Sequence, residues 1–350
     1  MEALHAEEDL QSQALIWNHM LAIVDTMVLK CALKLRLFDA IHSHSSTNNQ
    51  ISLTELATSL TIPPTRISTL HRILRYLAHM RLLNITDEET YTLTIAASVY
   101  LREGSEKSHA PVVRYLIEED MLGAMHGLDS YLVEEGMALP IERVRGEKFF
   151  EWAERDEGLS KRFDDAMSCS TRSMIQAVVR GCGMVFSGVK VVVDVGGGTG
   201  NVGRAVVEAF PAVKCIVYDL PHVVKEGKEG ERVVFQAGDM FVSVPPADAF
   251  LLSRVLHDWS DEKALEILMR CREAIVGEEG KLIIVDTMID ENDSKDMQHI
   301  KLAYDILMMT YVGGKERTEK QWRSLLLQAG FSRCAFTRIM ALQHVIEARP

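Results

Sequence analysis

Apolar residues recur at three- and four-residue spacing from residue 10 to 38. Ile16, Met20, Ile23, Met27, Cys31 and Leu35 fall on one stripe, and Trp17, Leu21, Val24 and Val28 widen it. This period predicts one long helix. Its apolar arc is wider than a solvated helix needs, which predicts a partner surface and a homodimer. Further on, Ser52-Leu53-Thr54-Glu55 has the form of a capping box at the start of a short helix, which Pro63-Pro64 ends. A second helix is predicted from about Thr65 to Met80, with Ile67, Leu70, Leu74 and Leu77 turned inward. Residues 84–95, NITDEETYTLTI, predict a small β-hairpin with an acidic turn. Helix, turn, helix and hairpin in this order predict a mostly helical, winged-helix-like N-terminal domain.

The pattern stays helical over residues 111–182, with a break near Gly136–Pro140, and changes after Gly183. Short β-branched runs then alternate with helical stretches: VKVVVDV, KCIVYDL, RVVFQAG, DAFLLSR and GKLIIVDT. That rhythm predicts a doubly wound α/β sheet. The end of the chain, SRCAFTRIMALQHVIEARP, predicts two more strands in an antiparallel hairpin. A chain of 350 residues is long for one core, and the change of pattern puts a domain border near residue 112, giving domains 1–112 and 113–350.

The net charge of −12 argues against a general affinity for nucleic acid, since phosphate binding needs a basic face. Arg66, Arg72, Arg75 and Arg81 lie on or beside the second helix, where a DNA-binding regulator would carry its reading residues. With an acidic chain and no wider basic patch, a solvated face of a dimerisation domain is the better expectation. No apolar run reaches the length of a membrane span, so no membrane partner is expected. The start, MEALHAEEDLQSQ, reads as neither a secretory signal nor a transit peptide. The six cysteines are scattered without C-x-x-C spacing, which suits reduced thiols and a cytoplasmic protein. No Asp/His cluster with metal-ligand spacing is visible, and no metal is expected.

The strongest local feature is VVVDVGGGTGNVG. A buried strand ends at Asp194-Val195, and Gly196 to Gly200 turn tightly into a helix. Glycines there permit positive φ and close approach of a ligand to the backbone. Gly198, Gly200 and Gly203 satisfy G-x-G-x-x-G, which fits a dinucleotide site as well. The next strand ends at Asp219, nineteen residues past Gly200, where an acid can accept hydrogen bonds from ribose hydroxyls. The third ends in Gly238-Asp239-Met240-Phe241, an acid and two apolar residues that suit an adenine. Each acid could instead be a strand-end turn residue. Because the strand ends share one sheet edge, a nucleotide site is predicted there.

DVGGGTG, YDLPHVV, GDMF, VLHDWSDE and GGKERTE occur in that order. Together they resemble the plant small-molecule O-methyltransferases, a family that includes caffeic acid, isoflavone and benzylisoquinoline alkaloid O-methyltransferases. The resemblance runs from about residue 10 to the C-terminus. It implies a Rossmann-like catalytic domain, dimerisation through the N-terminal domain, S-adenosylmethionine as methyl donor, a small phenolic acceptor and no metal. It implies that His257 is the general base, flanked by Asp286 and Glu316. It carries cofactor contacts to Gly196, Gly198, Asp219, Leu220, Asp239 and Met240, and acceptor contacts to Phe163, Met167, Met308 and Asp258. One position departs from the family. A Lys is common four residues before the His, and this chain has Ser253 there, followed by Arg254.

The chemistry fits those residues. Methyl transfer from a sulfonium is an in-line displacement, so the enzyme must align three atoms and remove one proton. An imidazole with a pKa of about 6.5 can take that proton from a phenol. His257 could instead cap the helix that begins after Asp258-Trp259. Asp286, read as the end of its strand, or Glu316 can accept the other ring N–H. Thr318 and Gln321 form a T-x-x-Q capping box, which places Glu316 in the loop before a helix ending near Gly330. Three other functions stay open at this level: an N-methyltransferase of the same fold, a winged-helix regulator with a ligand-sensing α/β domain, and a nicotinamide dehydrogenase.

Overall fold

The structure, a computed structural model, describes residues 2–44, 50–86, 90–225, 227 and 229–350. The chain forms two compact units. One comprises Met1–Glu118 with Arg162–Ser170, the other Glu119–Lys161 with Thr171–Pro350.

In the first unit the long helix is Glu2–Lys34, four residues shorter at its C-terminal end than its pattern suggests. Arg36 stands in the left-handed region (φ 52°), and a new helix, Leu37–Ser43, follows. The break turns Leu37, Phe38 and Ile41 into the core beside Leu56, Leu70, Leu74, Leu77 and Tyr91. Ser52 caps the Leu53–Ser59 helix through the expected reciprocal bonds with Glu55. The helix after Pro63-Pro64 is Ile67–His79, entered by a short 3₁₀ turn. Strands β1 (Ile51–Ser52), β2 (Leu83–Ile85) and β3 (Thr90–Leu93) make a small antiparallel sheet in the order β1-β3-β2. The acidic tip expected between β2 and β3 lies outside the described residues.

Along the first helix Ile16, Trp17 and Met20 are each more than half exposed. Its Glu7–Lys34 stretch is also long and apolar enough, by length and composition, to cross a membrane, with a mean hydropathy of 1.3 over its best window. This corrects the expectation that no stretch would qualify. Asn18, His19 and Asp25 interrupt the contiguous run, but the Ile, Leu, Val and Met residues around them keep the average high. Length and composition do not distinguish a spanning helix from one whose apolar face packs on protein.

The second unit is built on one twisted sheet. Its strands are β4 (Val191–Val195), β5 (Lys214–Asp219), β6 (Val233–Ala237), β7 (Ala249–Ser253), β8 (Lys281–Ile289), β9 (Arg317–Thr318), β10 (Arg333–Arg338) and β11 (Gln343–Arg349). The order is β6-β5-β4-β7-β8-β11-β10, with short β9 beside the end of β8. β4 to β8 run parallel, and the β10–β11 hairpin closes one side antiparallel. Successive residues of a strand feed opposite core layers. Val193, Val195, Phe250, Leu252 and Ile284 pack with the Asp261–Ala274 helix and Trp322. Val192, Ala249, Leu251, Ile283 and Val285 pack with Val202, Val206 and Met174. Burial on both faces is why these strands read as continuous Val/Ile/Leu runs. The chain winds outward from β4 in one direction through β5 and β6, and in the other through β7 and β8. The strand order therefore reverses between β4 and β7, the place where such sheets bind ligands.

Candidate active site

The β4 exit is a glycine turn that is tightly packed at Gly196, Gly197 and Gly200 and open at Gly198. Gly196, Gly198 and Gly200 all have positive φ (68°, 56° and 79°). A Cβ on Gly196 would stand 3.0 Å from Val255 Cγ2, just past β7, so the two strand ends at the reversal meet across this glycine. A Cβ on Gly198 would meet nothing within 4 Å, so the space before the loop is open. Asp219, at the end of β5, ties the loop down: the Gly198 amide donates to its Oδ2 at 2.8 Å and the Leu220 amide to its Oδ1 at 2.7 Å. Asp194, buried beneath the turn, accepts from the Gly203 amide at 3.1 Å, and burial pushes its carboxyl up to about 7. Asp239 is exposed after β6 and accepts from the Phe241 amide, while Met240 and Phe241 pack against the core. Open space in front of Gly198, a carboxylate at the β5 end and apolar residues after β6 fit a nucleoside-bearing cofactor.

His257 sits in a 3₁₀ turn, Leu256–Asp258, just past β7. Ser260, not His257, caps the helix that follows, so the capping role considered for the histidine is filled by the serine. The imidazole is 5% exposed. Its Nδ1 lies 2.9 Å from Glu316 Oε1 and 3.2 Å from Asp286 Oδ1, and its Nε2 lies 3.6 Å from Asp258 Oδ1. Asp286 is not at a strand end. It lies inside β8, fully buried, because β11 pairs alongside it and β9 extends the pairing at Met288 and Ile289. Glu316 comes from the loop before β9, and Thr318 caps the Glu319–Gln328 helix with Gln321 as expected.

Burial alone would push the imidazole of His257 down, but Asp286, Glu316 and Asp258 overcome it and carry it up to about 10. The value near 6.5 that the histidine's identity suggests does not hold. Burial also raises Asp286 and Glu316, opposed by the imidazolium beside them. Asp258 is pushed up to about 6, again chiefly by burial. The ring of Tyr304 lies 6.0 Å from that of His257, and burial raises its phenol.

Three consecutive residues hold the histidine turn. The Lys315 amide donates to the His257 carbonyl at 2.9 Å. Glu316 engages the imidazole, while its own amide donates to Asp305 Oδ1 at 2.7 Å. Arg317, fully buried, donates to the Leu256 carbonyl, the Trp259 carbonyl and Asp261 Oδ1, each at 2.8 Å. Gly314 packs so closely that a Cβ there would stand 1.9 Å from the His257 carbonyl oxygen. Gly314, Asp305 and Arg317 were missed from the sequence. The GGKERTE block contains two of them, but only the fold brings that loop against the histidine turn.

Ser253 ends β7, its hydroxyl 3.7 Å from the Met174 sulfur. Arg254 next to it is a non-glycine residue at positive φ (55°), and its guanidinium donates to Thr171 at 2.9 Å. Met308 is half-buried, and its carbonyl accepts from the Val312 and Gly314 amides. Phe163 and Met167 lie in the Arg162–Ser170 segment of the first unit, where Phe163 packs edge-on against Tyr115. The triad of His257, Asp286 and Glu316 also presents metal-ligating atoms within 4.8 Å of one another, a cluster that linear spacing did not reveal. Both carboxylates approach the same nitrogen, Glu316 as its hydrogen-bond partner and Asp286 as a charged neighbour.

Residues 126–332 match the O-methyltransferase domain family, and residues 17–103 match the O-methyltransferase dimerisation domain family. The chain is 38% identical to flavonoid 4'-O-methyltransferase of Glycine max, over 99% of this chain and 97% of that protein. It is 37% identical to (RS)-norcoclaurine 6-O-methyltransferase of Coptis japonica, over 98% of this chain and 99% of that protein. Its fold is that of human N-acetylserotonin methyltransferase, solved in complex with S-adenosylmethionine: TM-score 0.77, 24% identity, 97% of each chain covered. The glycine cradle, the sheet reversal and these likenesses agree: the chain belongs to the O-methyltransferase family and is an enzyme that uses S-adenosylmethionine as its methyl donor.

Proposed function

We propose that the enzyme methylates a hydroxyl of a small phenolic plant metabolite of the flavonoid, isoflavonoid, phenylpropanoid or alkaloid type, with His257 as general base. The observation that carries this reading is the asymmetry around the imidazole. Glu316 is the hydrogen-bond partner of Nδ1 and Asp286 lies beside it, so in the neutral ring the proton is held at Nδ1 and Nε2 carries the basic lone pair. The bound cofactor supplies a methyl group activated by its sulfonium charge. His257 takes the phenolic proton at Nε2 as the new bond forms, and Asp286 and Glu316 stabilise the imidazolium that results. Asp286, Glu316 and Asp258 raise the proton affinity of the imidazole, which makes it a stronger base toward a phenol.

Gly196, Gly198, Asp219, Leu220, Asp239, Met240 and Ser253 are assigned to the cofactor. Phe163, Met167, Met308 and Asp258 are assigned to the acceptor, the thioethers gripping an aromatic face by dispersion. The exposed apolar arc of the Glu2–Lys34 helix, which overlaps the region matching the dimerisation domain, supports a homodimer, and we place the enzyme in the cytoplasm. The test is incubation with methyl-labelled S-adenosylmethionine across a panel of plant phenols and matched amines. Label on a phenolic oxygen supports the reading. Label confined to amines, or to none of the panel, refutes it.

A further inference from the structure

We infer that Arg317 is a positioning residue for methyl transfer: its buried guanidinium clamps the backbone on both sides of His257 and so aims the imidazole. The inference rests on the reading of His257 as the base. The carbonyls of Leu256, one residue before the histidine, and Trp259, two residues after it, both accept from Arg317 at 2.8 Å. The third contact, Nε to Asp261 Oδ1 at 2.8 Å, ties the clamp to the first turn of the Asp261–Ala274 helix, where Lys315 also reaches Asp261 Oδ2 at 2.8 Å. The guanidinium lies over the Trp322 ring, 5.2 Å from its centre.

This is more than a charge needs for burial. An arginine that served stability alone would be replaceable by an apolar side chain of similar volume, because a buried ion pair is weak evidence of net stabilisation. Here the donors satisfy main-chain carbonyls of a one-turn element that has few bonds of its own: within Leu256–Asp258 and its exit, the Asp258 and Trp259 amides bond back at 3.2 and 3.3 Å. Glu316 and Arg317 are adjacent, so one dipeptide fixes the imidazole by its ring nitrogen and the turn by its backbone. A lysine keeps the charge but cannot span three acceptors in a planar fork.

The experiment compares Arg317→Met, Arg317→Lys and Asp261→Asn with the parent enzyme. Fold is followed by thermal denaturation, cofactor affinity by calorimetry with S-adenosylmethionine, and turnover on a phenol that the panel identifies. Folded Arg317→Met is expected to lose about 10²-fold in kcat, the scale of a 1 Å misplacement, with cofactor affinity nearly unchanged. Arg317→Lys should recover part of the loss. Asp261→Asn removes the charge of a partly exposed anchor and leaves one acceptor oxygen for Arg317 and Lys315 to compete for, so it keeps the fold and should lower kcat in the same direction. In a His257→Ala background, Arg317→Lys should cost nothing further, because the two act through one group. Folded Arg317→Met with parental kcat overturns the inference. If Arg317→Met does not fold, parental kcat in Asp261→Asn overturns it, as does an equal loss from Arg317→Lys with and without His257. Near-normal turnover by His257→Ala would instead overturn the base assignment itself.

Discussion

Gly314→Ala places one methyl group where the structure has none to spare. The added Cβ would stand 1.9 Å from the His257 carbonyl oxygen and 2.8 Å from both Cα and C of Asp258. An ordinary C···O contact is about 3.3 Å, so the overlap is about 1.4 Å. All three obstructing atoms are backbone, so no side-chain rotation relieves it. The loop must back away from the histidine turn and lose the Lys315 N–H to His257 carbonyl bond. Overpacking costs about 1–3 kcal/mol and the lost bond about 1 kcal/mol, which gives a destabilisation of about 2–4 kcal/mol. For a domain of this size that lowers Tm by about 5–15 °C. Glu316 moves with the loop, so its bond to the imidazole loosens and kcat falls about 10²-fold, with cofactor affinity nearly unchanged. Differential scanning calorimetry with steady-state kinetics on the same preparation reads both effects. A Gly314→Ala enzyme with parental Tm and kcat would refute the argument that this close approach holds the site.

Because catalysis needs neutral His257 and its carboxylates hold it up to about 10, kcat/KM should rise with pH through the neutral and alkaline range. Glu316→Gln removes one of those carboxylates and should move the rising limb down by about 1–3 units at a lower plateau, as a pH–rate profile would show. The same shift has a stability consequence. The folded value exceeds the unfolded value of about 6.5, so this histidine's ion pairing contributes fully below that pH and is lost as pH rises through about 10. Thermal melts of the parent and His257→Gln enzymes should therefore converge at alkaline pH. Asp219→Ala releases the Gly198 amide and removes the predicted ribose acceptor, so calorimetry should show S-adenosylmethionine binding weakened by about 10-fold or more. EDTA should leave turnover unchanged. Loss of activity restored by a divalent ion would instead make the three-residue cluster a metal site.

The sheet was legible in the sequence because its strands are buried on both faces, which leaves β-branched Val/Ile/Leu runs that alternate with helical stretches. Both capping boxes were legible because their bonds are local, between residues three apart. Other features depend on contacts distant in sequence. β8 runs past Asp286 only because β9 and β11 pair beside it. The helix break at Arg36 serves a core that includes Tyr91. Arg162–Ser170 groups with the first unit although the helix that contains it, Glu157–Cys182, is continuous. The acids around His257 entered through family resemblance. Their common approach to Nδ1, and its effect on proton affinity, needed coordinates, as did the roles of Gly314 and Arg317.

The central claim is that His257 accepts the proton of a phenol as the methyl group is transferred. It is tested most directly by single-turnover transfer of labelled methyl from S-adenosylmethionine to a phenol by the parent and His257→Gln enzymes, both shown to be folded and saturated with cofactor. The account predicts a fall of about 10²-fold or more in the transfer rate, the usual scale for loss of a general base, with loss of the rising pH limb. A folded, saturated His257→Gln enzyme that transfers the methyl group at the parental rate would contradict it.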